Sequence, residues 1–170
     1  MDTLHHLGAV EALANLLLAR GERLVTAESC TGGLIAACCT ELAGSSQWFE
    51  RGFVTYSNEA KTELLGVPAA LIAAHGAVSE PVALAMAQGA LARSAGPSSH
   101  SADWAVAVTG IAGPSGGSPA KPVGTVWIAW ANRSGTAHAQ CHRFDGDRAA
   151  IRAATVDHAL AGLRRRLAPL

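Results

Sequence analysis

A serine between a buried apolar run and two glycines is the residue best placed to do chemistry. Ser29 lies in Ala27-Glu28-Ser29-Cys30-Thr31-Gly32-Gly33, after Leu24-Val25-Thr26 and before Leu34-Ile35-Ala36-Ala37. The first flank reads as a strand and the second as a helix, so the hydroxyl stands at a strand-to-helix turn. A helix start leaves N–H groups unpaired and carries partial positive charge, which suits an anion or a developing oxyanion. Glycines let a substrate approach the backbone closely. The same residue types also fit a plain helix cap by Ser29 or Thr31, and this stretch alone leaves both readings open.

A serine needs a base before it attacks an amide. No Ser-His-Asp order is evident in the chain, but Tyr56 and Lys61 lie five residues apart across an apparent strand-to-helix join. Both side chains can point into one crevice there, and burial lowers a lysine pKa enough for a neutral amine to serve. The alternative is a core tyrosine and a surface lysine. A second glycine-rich turn, Thr109-Gly110-Ile111-Ala112-Gly113-Pro114-Ser115-Gly116-Gly117, follows another apolar run. Its N–H groups can cradle a phosphate, or it can be an ordinary flexible loop; it matches neither the P-loop nor the dinucleotide fingerprint. Gly146-Asp147-Arg148 opens the last helix. Arg148 suits a phosphate, with a capping Asp147 and a solvated arginine as the other reading.

Metal readings are weak. His5-His6 falls in the first helix and is expected to be exposed. His138, Cys141 and His142 fall in one strand, where 138 and 142 share a face and 141 does not. The four cysteines, Cys30, Cys38, Cys39 and Cys141, form no C-x-x-C pair. Reduced thiols in a cytoplasmic protein are expected. The chain opens without a charged-then-apolar leader, and no apolar run is long enough to cross a bilayer. With 13 basic and 13 acidic residues the formal charge is zero, so a nucleic-acid surface is not expected. Arg164-Arg165-Arg166 complements the dipole of a helix end.

These residues need elements to hold them. The 170 residues, 49% hydrophobic and 15% charged, suffice for one domain with a sizeable core. Leu4, Leu7, Val10, Leu13 and Leu17 mark an amphipathic helix over 3–20. A strand at Leu24–Ala27 and a helix to about Leu42 follow. A strand lies within Trp48 to Ser57, and helices begin at Asn58, Pro68 and Glu80. Ala95 to Asp103 reads as an exposed loop. Strands at Trp104–Val108, Val123–Ala131 and Ala137–Phe144 come next, the last two as an antiparallel hairpin. A helix from Asp147 ends the chain. This order implies an α/β protein: a three-layer α/β/α sandwich with a mixed sheet, in a single domain over residues 1–170. Both glycine-rich turns then line one crevice beyond the strand ends. Ala-rich helix faces and Trp104, Trp127 and Trp130 permit a homo-oligomer, a dimer or higher.

Five segments in order resemble the CinA carboxy-terminal domain family. They are Ala27–Gly33, Trp48–Lys61, His75-Gly76-Ala77-Val78-Ser79-Glu80-Pro81, Thr109–Pro114 with Lys121–Trp127, and Phe144 with Gly146-Asp147-Arg148 and Arg152. The resemblance runs from about Gly21 to Leu163. Ser115 departs from it, an acidic residue being expected there. Stand-alone members of the family imply hydrolysis of the carboxamide of nicotinamide mononucleotide (NMN) to nicotinate mononucleotide and ammonia, in pyridine-nucleotide recycling. The resemblance makes Ser29, Tyr56 and Lys61 the catalytic set. It is joined to substrate binding by Glu28, Cys30, Thr31, Gly32, Gly33, Thr109, Gly110, Ile111, Ala112, Gly113 and Arg148. No metal or organic cofactor, no nucleic acid and no membrane is expected. The rival expectation is a nucleotide-binding module without turnover, acting through a partner.

Overall fold

The computed structural model describes residues 6–96 and 101–168. Helix α1 (Leu7–Arg20) precedes strand β1 (Leu24–Glu28), helix α2 (Leu34–Glu41), a 3-10 turn (Ser45–Gln47) and strand β2 (Phe49–Val54). Helices α3 (Asn58–Leu65), α4 (Ala69–His75) and α5 (Glu80–Ser94) lead to strands β3 (Trp104–Gly110), β4 (Thr125–Asn132) and β5 (Ala137–Arg143). Helix α6 (Arg148–Leu167) follows. The element order matches the sequence reading; the expected start of α1 at residue 3 lies outside the described residues.

The sheet runs in the order β2-β1-β3-β4-β5. Strand β1 pairs in parallel with β2 and with β3, while β3–β4 and β4–β5 are antiparallel. One face packs Val10, Leu13, Leu17, Ile35, Val156 and Leu160, from α1, α2 and α6. The other packs Leu65, Ile72, Val82, Met86 and Ala90, from α3, α4 and α5. This is the three-layer α/β/α sandwich with a mixed sheet. Because β1 lies inside the sheet between β2 and β3 and is covered on both faces, all five of its residues are buried.

The chain leaves β1 on one side to form β2, then returns across the sheet to form β3 on the other. Such a switch of direction opens a crevice at the carboxyl ends of the strands. The same edge receives the end of β5 and the start of α6, because β5 runs antiparallel to β4. Every segment expected to carry chemistry therefore arrives at one end of the sheet.

Two local expectations are corrected. His6 is buried, 1% exposed, with Nδ1 2.7 Å from Asp157 Oδ1 of α6; His5 lies outside the described residues. In the loop expected over 95–103, Ala102 is buried and the Asp103 carboxylate accepts the Arg23 N–H at 2.8 Å. That end of the loop is already anchored to the start of β1.

Helix α6 closes on the sheet over Trp130. The indole N–H donates to the Ala159 carbonyl at 2.9 Å, and the Arg166 guanidinium stands 4.0 Å from the ring centroid. Gly162 faces the same ring, and a Cβ there would collide with it. Gly162→Ala should therefore destabilise the protein by about 1–3 kcal/mol through overpacking, although alanine is the better helix former. Urea denaturation checks this; an unchanged or higher midpoint would show that the ring yields.

Candidate active site

Ser29 follows the last residue of β1, and its backbone is held on both sides. Its N–H donates to Val108 O at 3.1 Å, and its carbonyl accepts the Gly32 N–H at 3.0 Å. Gly32 and Gly33 take left-handed φ values of 61° and 95°, which glycine adopts without strain. They reverse the chain into α2. The N-cap of α2 is Gly33, with no side-chain capping bond. Neither Ser29 nor Thr31 therefore occupies the capping position that the sequence left open.

The helix start is satisfied by another group. Glu28 is fully buried. Its Oε1 accepts the Thr31 hydroxyl at 2.7 Å and the Ile35 N–H at 2.8 Å, and Oε2 accepts the Ala36 N–H at 2.9 Å. This corrects two expectations. Glu28 and Thr31 bond to each other beneath the turn and do not line the cleft. The first N–H groups of α2 are also closed to a substrate anion. Among the described residues, the Cys30 N–H makes no hydrogen bond to another residue, and Cys30 lines the cleft, so a donor is left over in the turn itself.

Lys61 reaches Ser29 from the first turn of α3. Ser57 caps that helix, its hydroxyl accepting the Ala60 N–H at 3.0 Å. Lys61 is 1% exposed, with Nζ 3.0 Å from Ser29 Oγ. Nζ also lies 2.9 Å from Thr55 O, 3.3 Å from Tyr56 O and 3.4 Å from Ser57 O. Its hydrogen-bond partners are oxygens of a hydroxyl and three carbonyls, and none of the ion pairs among the described residues includes it. Burial pushes the Lys61 pKa below its ordinary value, against smaller raising effects of Cys30 and Glu59. Nζ donates to these oxygens, and its 3.0 Å distance to Ser29 Oγ is short enough for direct proton transfer between the two groups.

Tyr56 sits differently from Lys61. The residue is 60% exposed, and its hydroxyl accepts from Arg148 Nη2 at 3.2 Å. Tyr56 touches Lys61 through its carbonyl, so its phenol stands at the mouth of the cleft rather than in the core. Arg148 Nη1 donates to Gly113 O at 3.0 Å, so the guanidinium bridges the mouth from the second glycine-rich turn to Tyr56. Asp147 caps α6 by accepting the Ala150 N–H at 2.9 Å. The aspartate is thus the cap that one reading expects, while Arg148, itself exposed, reaches across the mouth of the cleft.

A cleft of about 200 Å³ is lined by Ser29, Cys30, Tyr56, Lys61, Thr109, Gly110, Ala112 and Arg148 from the expected set. Glu28, Thr31, Gly32, Gly33, Ile111 and Gly113 are outside its lining. The Ile111 N–H donates to Thr125 O at 2.9 Å and extends the β3–β4 pairing. Gly113 contributes the carbonyl that holds Arg148. The Thr109 hydroxyl donates to Ala77 O at 2.9 Å and ties the end of β3 to the α4–α5 connection. Ser115 is exposed outside the lining.

Asn58, Ala77 and Val78 complete the lining, and residue chemistry alone did not single them out. Arg152 is a further addition, one turn beyond Arg148 on α6, donating from Nη2 to Thr31 O at 2.7 Å. The four-residue spacing of two arginines was the available signal. Cys30, beside the serine, is 6% exposed, and burial pushes its thiol up to about 11. It is a thiol, not a thiolate, near neutral pH, so it does not compete with Ser29 as a nucleophile. His142 stacks on Phe144 and packs edge-on against His158, away from the cleft.

A family model described as the CinA C-terminal domain matches residues 7–167. The nicotinamide-nucleotide amidohydrolase PncC of Escherichia coli K12 is 53% identical over 150 residues, which cover 88% of this chain and 87% of that protein. A protein of the same name from Pseudomonas putida is 55% identical over 141 residues, covering 83% and 84%. The crystal structure of a CinA superfamily protein from Klebsiella pneumoniae 700603 matches with a TM-score of 0.88 at 41% identity, covering 98% of each chain.

Proposed function

This chain belongs to the CinA C-terminal domain family, and from that premise we propose that it hydrolyses the carboxamide of NMN to nicotinate mononucleotide and ammonia. Relatives named as nicotinamide-nucleotide amidohydrolases, matched over most of both chains, support an amidohydrolase. The observation that carries the mechanism is the 3.0 Å approach of the buried Lys61 amine to Ser29 Oγ.

Neutral Lys61 accepts the Ser29 proton as Oγ bonds to the carboxamide carbon. The Cys30 N–H holds the resulting oxyanion. Lys61, now an ammonium, returns its proton to the amide nitrogen as the C–N bond breaks and ammonia leaves. Water then attacks the acyl-serine, Lys61 takes its proton, and collapse releases the carboxylate and restores Ser29. Tyr56 assists from the mouth, where its hydroxyl and Arg148 face the incoming nucleotide. The reading calls for no metal or organic cofactor.

Arg148 and the turn after β3 hold the ribose phosphate in this reading. Two guanidinium N–H groups are engaged with Gly113 and Tyr56, and up to three remain for an anion. Arg148→Ala should raise KM for NMN about ten- to a hundredfold, the worth of a charge-assisted bond. Slow turnover of nicotinamide riboside should change far less. Equal losses on both substrates would make Arg148 structural.

The direct test is ammonia release by the purified protein from NMN, nicotinamide riboside, free nicotinamide and NAD. Release from NMN above background supports the reading. A folded protein that binds NMN without releasing ammonia would instead be a binding module. We also place the protein in the cytoplasm as a homo-oligomer. Four free cysteines support the first, and gel filtration with light scattering tests the second.

A further inference from the structure

We propose that Glu28 is the positioning residue of the site: a built-in anion that closes the α2 N-terminus and fixes the serine turn so that the Cys30 N–H becomes the oxyanion donor. This rests on the amide-hydrolysis reading above. Of the first N–H groups of α2, Leu34 donates to Thr31 O, Ile35 and Ala36 donate to the Glu28 carboxylate, and Ala37 donates to Gly33 O. Each has an internal acceptor, so the usual attraction of a helix start for a ligand anion is already satisfied. The charge that completes α2 lies within the chain, one residue before the nucleophile.

Alternation along β1 sends neighbouring side chains to opposite faces. The Glu28 carboxylate goes under the sheet to α2, and Ser29 goes to the cleft. Clamping residues 31, 35 and 36 from one carboxylate fixes the angle between β1 and α2. The turn between them can then adjust little. The backbone of the same residue reaches the other catalytic partner: Glu28 O accepts the Thr55 N–H at 2.8 Å, and Thr55 O accepts from Lys61 Nζ at 2.9 Å. Arg152 holds the Thr31 carbonyl from the far side. A carboxylate suits the central place because it accepts at both oxygens. A glutamine would turn its NH₂ toward a backbone N–H.

The experiment compares wild type, Glu28→Gln and Thr31→Val on NMN, with two binding probes. One is the product, nicotinate mononucleotide. The other is the 3-formyl analogue of NMN, whose aldehyde forms a tetrahedral adduct with a serine hydroxyl. Glu28→Gln should lower kcat about ten- to a hundredfold, the scale of a small misplacement of reacting groups. Its KM and product affinity should stay within about twofold, and its affinity for the aldehyde should fall by the same factor as kcat. Thr31→Val removes one of the three clamp donors and should shift kcat and aldehyde affinity together by a smaller factor. A folded Glu28→Gln protein with a lower melting temperature but undiminished kcat and aldehyde affinity would overturn the proposal. If Glu28→Gln does not fold, full kcat in Thr31→Val overturns it. A wild type that releases no ammonia from NMN overturns the hydrolase reading instead.

Discussion

Ser29→Ala should leave NMN affinity within about twofold and lower kcat by roughly 10⁴- to 10⁶-fold, the loss expected when a nucleophile working with a base is removed. The expectation follows from what Ser29 does not do in the fold. It caps no helix, and its hydroxyl is bonded to Lys61 Nζ. Its backbone bonds to Val108 and Gly32 survive the change to alanine. Lys61 keeps three carbonyl partners. Thermal stability should therefore change little, whereas loss of a cap would cost about 1 kcal/mol. Calorimetric titration with NMN, ammonia release and a melting curve on one preparation separate the two roles. An active Ser29→Ala protein of reduced stability would end the nucleophile assignment.

Removing the base should have the second-largest effect. Lys61→Ala is expected to lower kcat about 10²- to 10⁴-fold, the usual contribution of a positioned general base. Lys61→Arg should be as inactive, because a guanidinium stays charged at any usable pH. Small primary amines should partly restore Lys61→Ala, with rates that follow the neutral fraction of the added amine. No rescue, with NMN binding intact, would argue that Lys61 acts only by position.

Burial lowers the Lys61 pKa, and the sign of the pH dependence follows. The wild-type rate should rise as Lys61 loses its proton through that lowered value and flatten above it. Between the lowered and the ordinary lysine value, the unfolded chain binds more protons than the folded one. Folding stability contributed by this group therefore rises with pH across that window, and its burial is most costly below it. Urea midpoints measured against pH for wild type and Lys61→Ala isolate this contribution; parallel curves would show that Lys61 titrates alike in both states.

The element order was legible in the sequence because it depends on local pattern. Three- and four-residue apolar steps, glycines after helices and β-branched runs place the six α-helices and five strands of the described residues near their observed bounds. The serine turn was legible too, since Gly32 and Gly33 mark the place where the chain reverses into α2. The choice between a capping and a reacting Ser29 was not. Local sequence offers Ser29 and Thr31 as caps, whereas the group that meets the α2 N–H groups is Glu28, which reaches seven and eight residues ahead from the end of a strand.

Lys61 is 32 residues from Ser29, and its spacing was equally compatible with a surface position. The two meet because β2 pairs in parallel beside β1 with Glu28 opposite Val54. That register brings the chain after β2 back over the serine. Tyr56, five residues before Lys61, is carried by the same chain to the mouth, where Arg148 from the far end of the molecule meets it. Gly162 reverses even the sign of a local rule, because Trp130 of another layer fills the space above it. Periodicity and turn chemistry act over a few residues, so the sequence by itself determined the elements and the residues with reactive groups. Strand order, register and layer packing join positions far apart in the chain, so the tertiary structure alone decided which of those groups face one another.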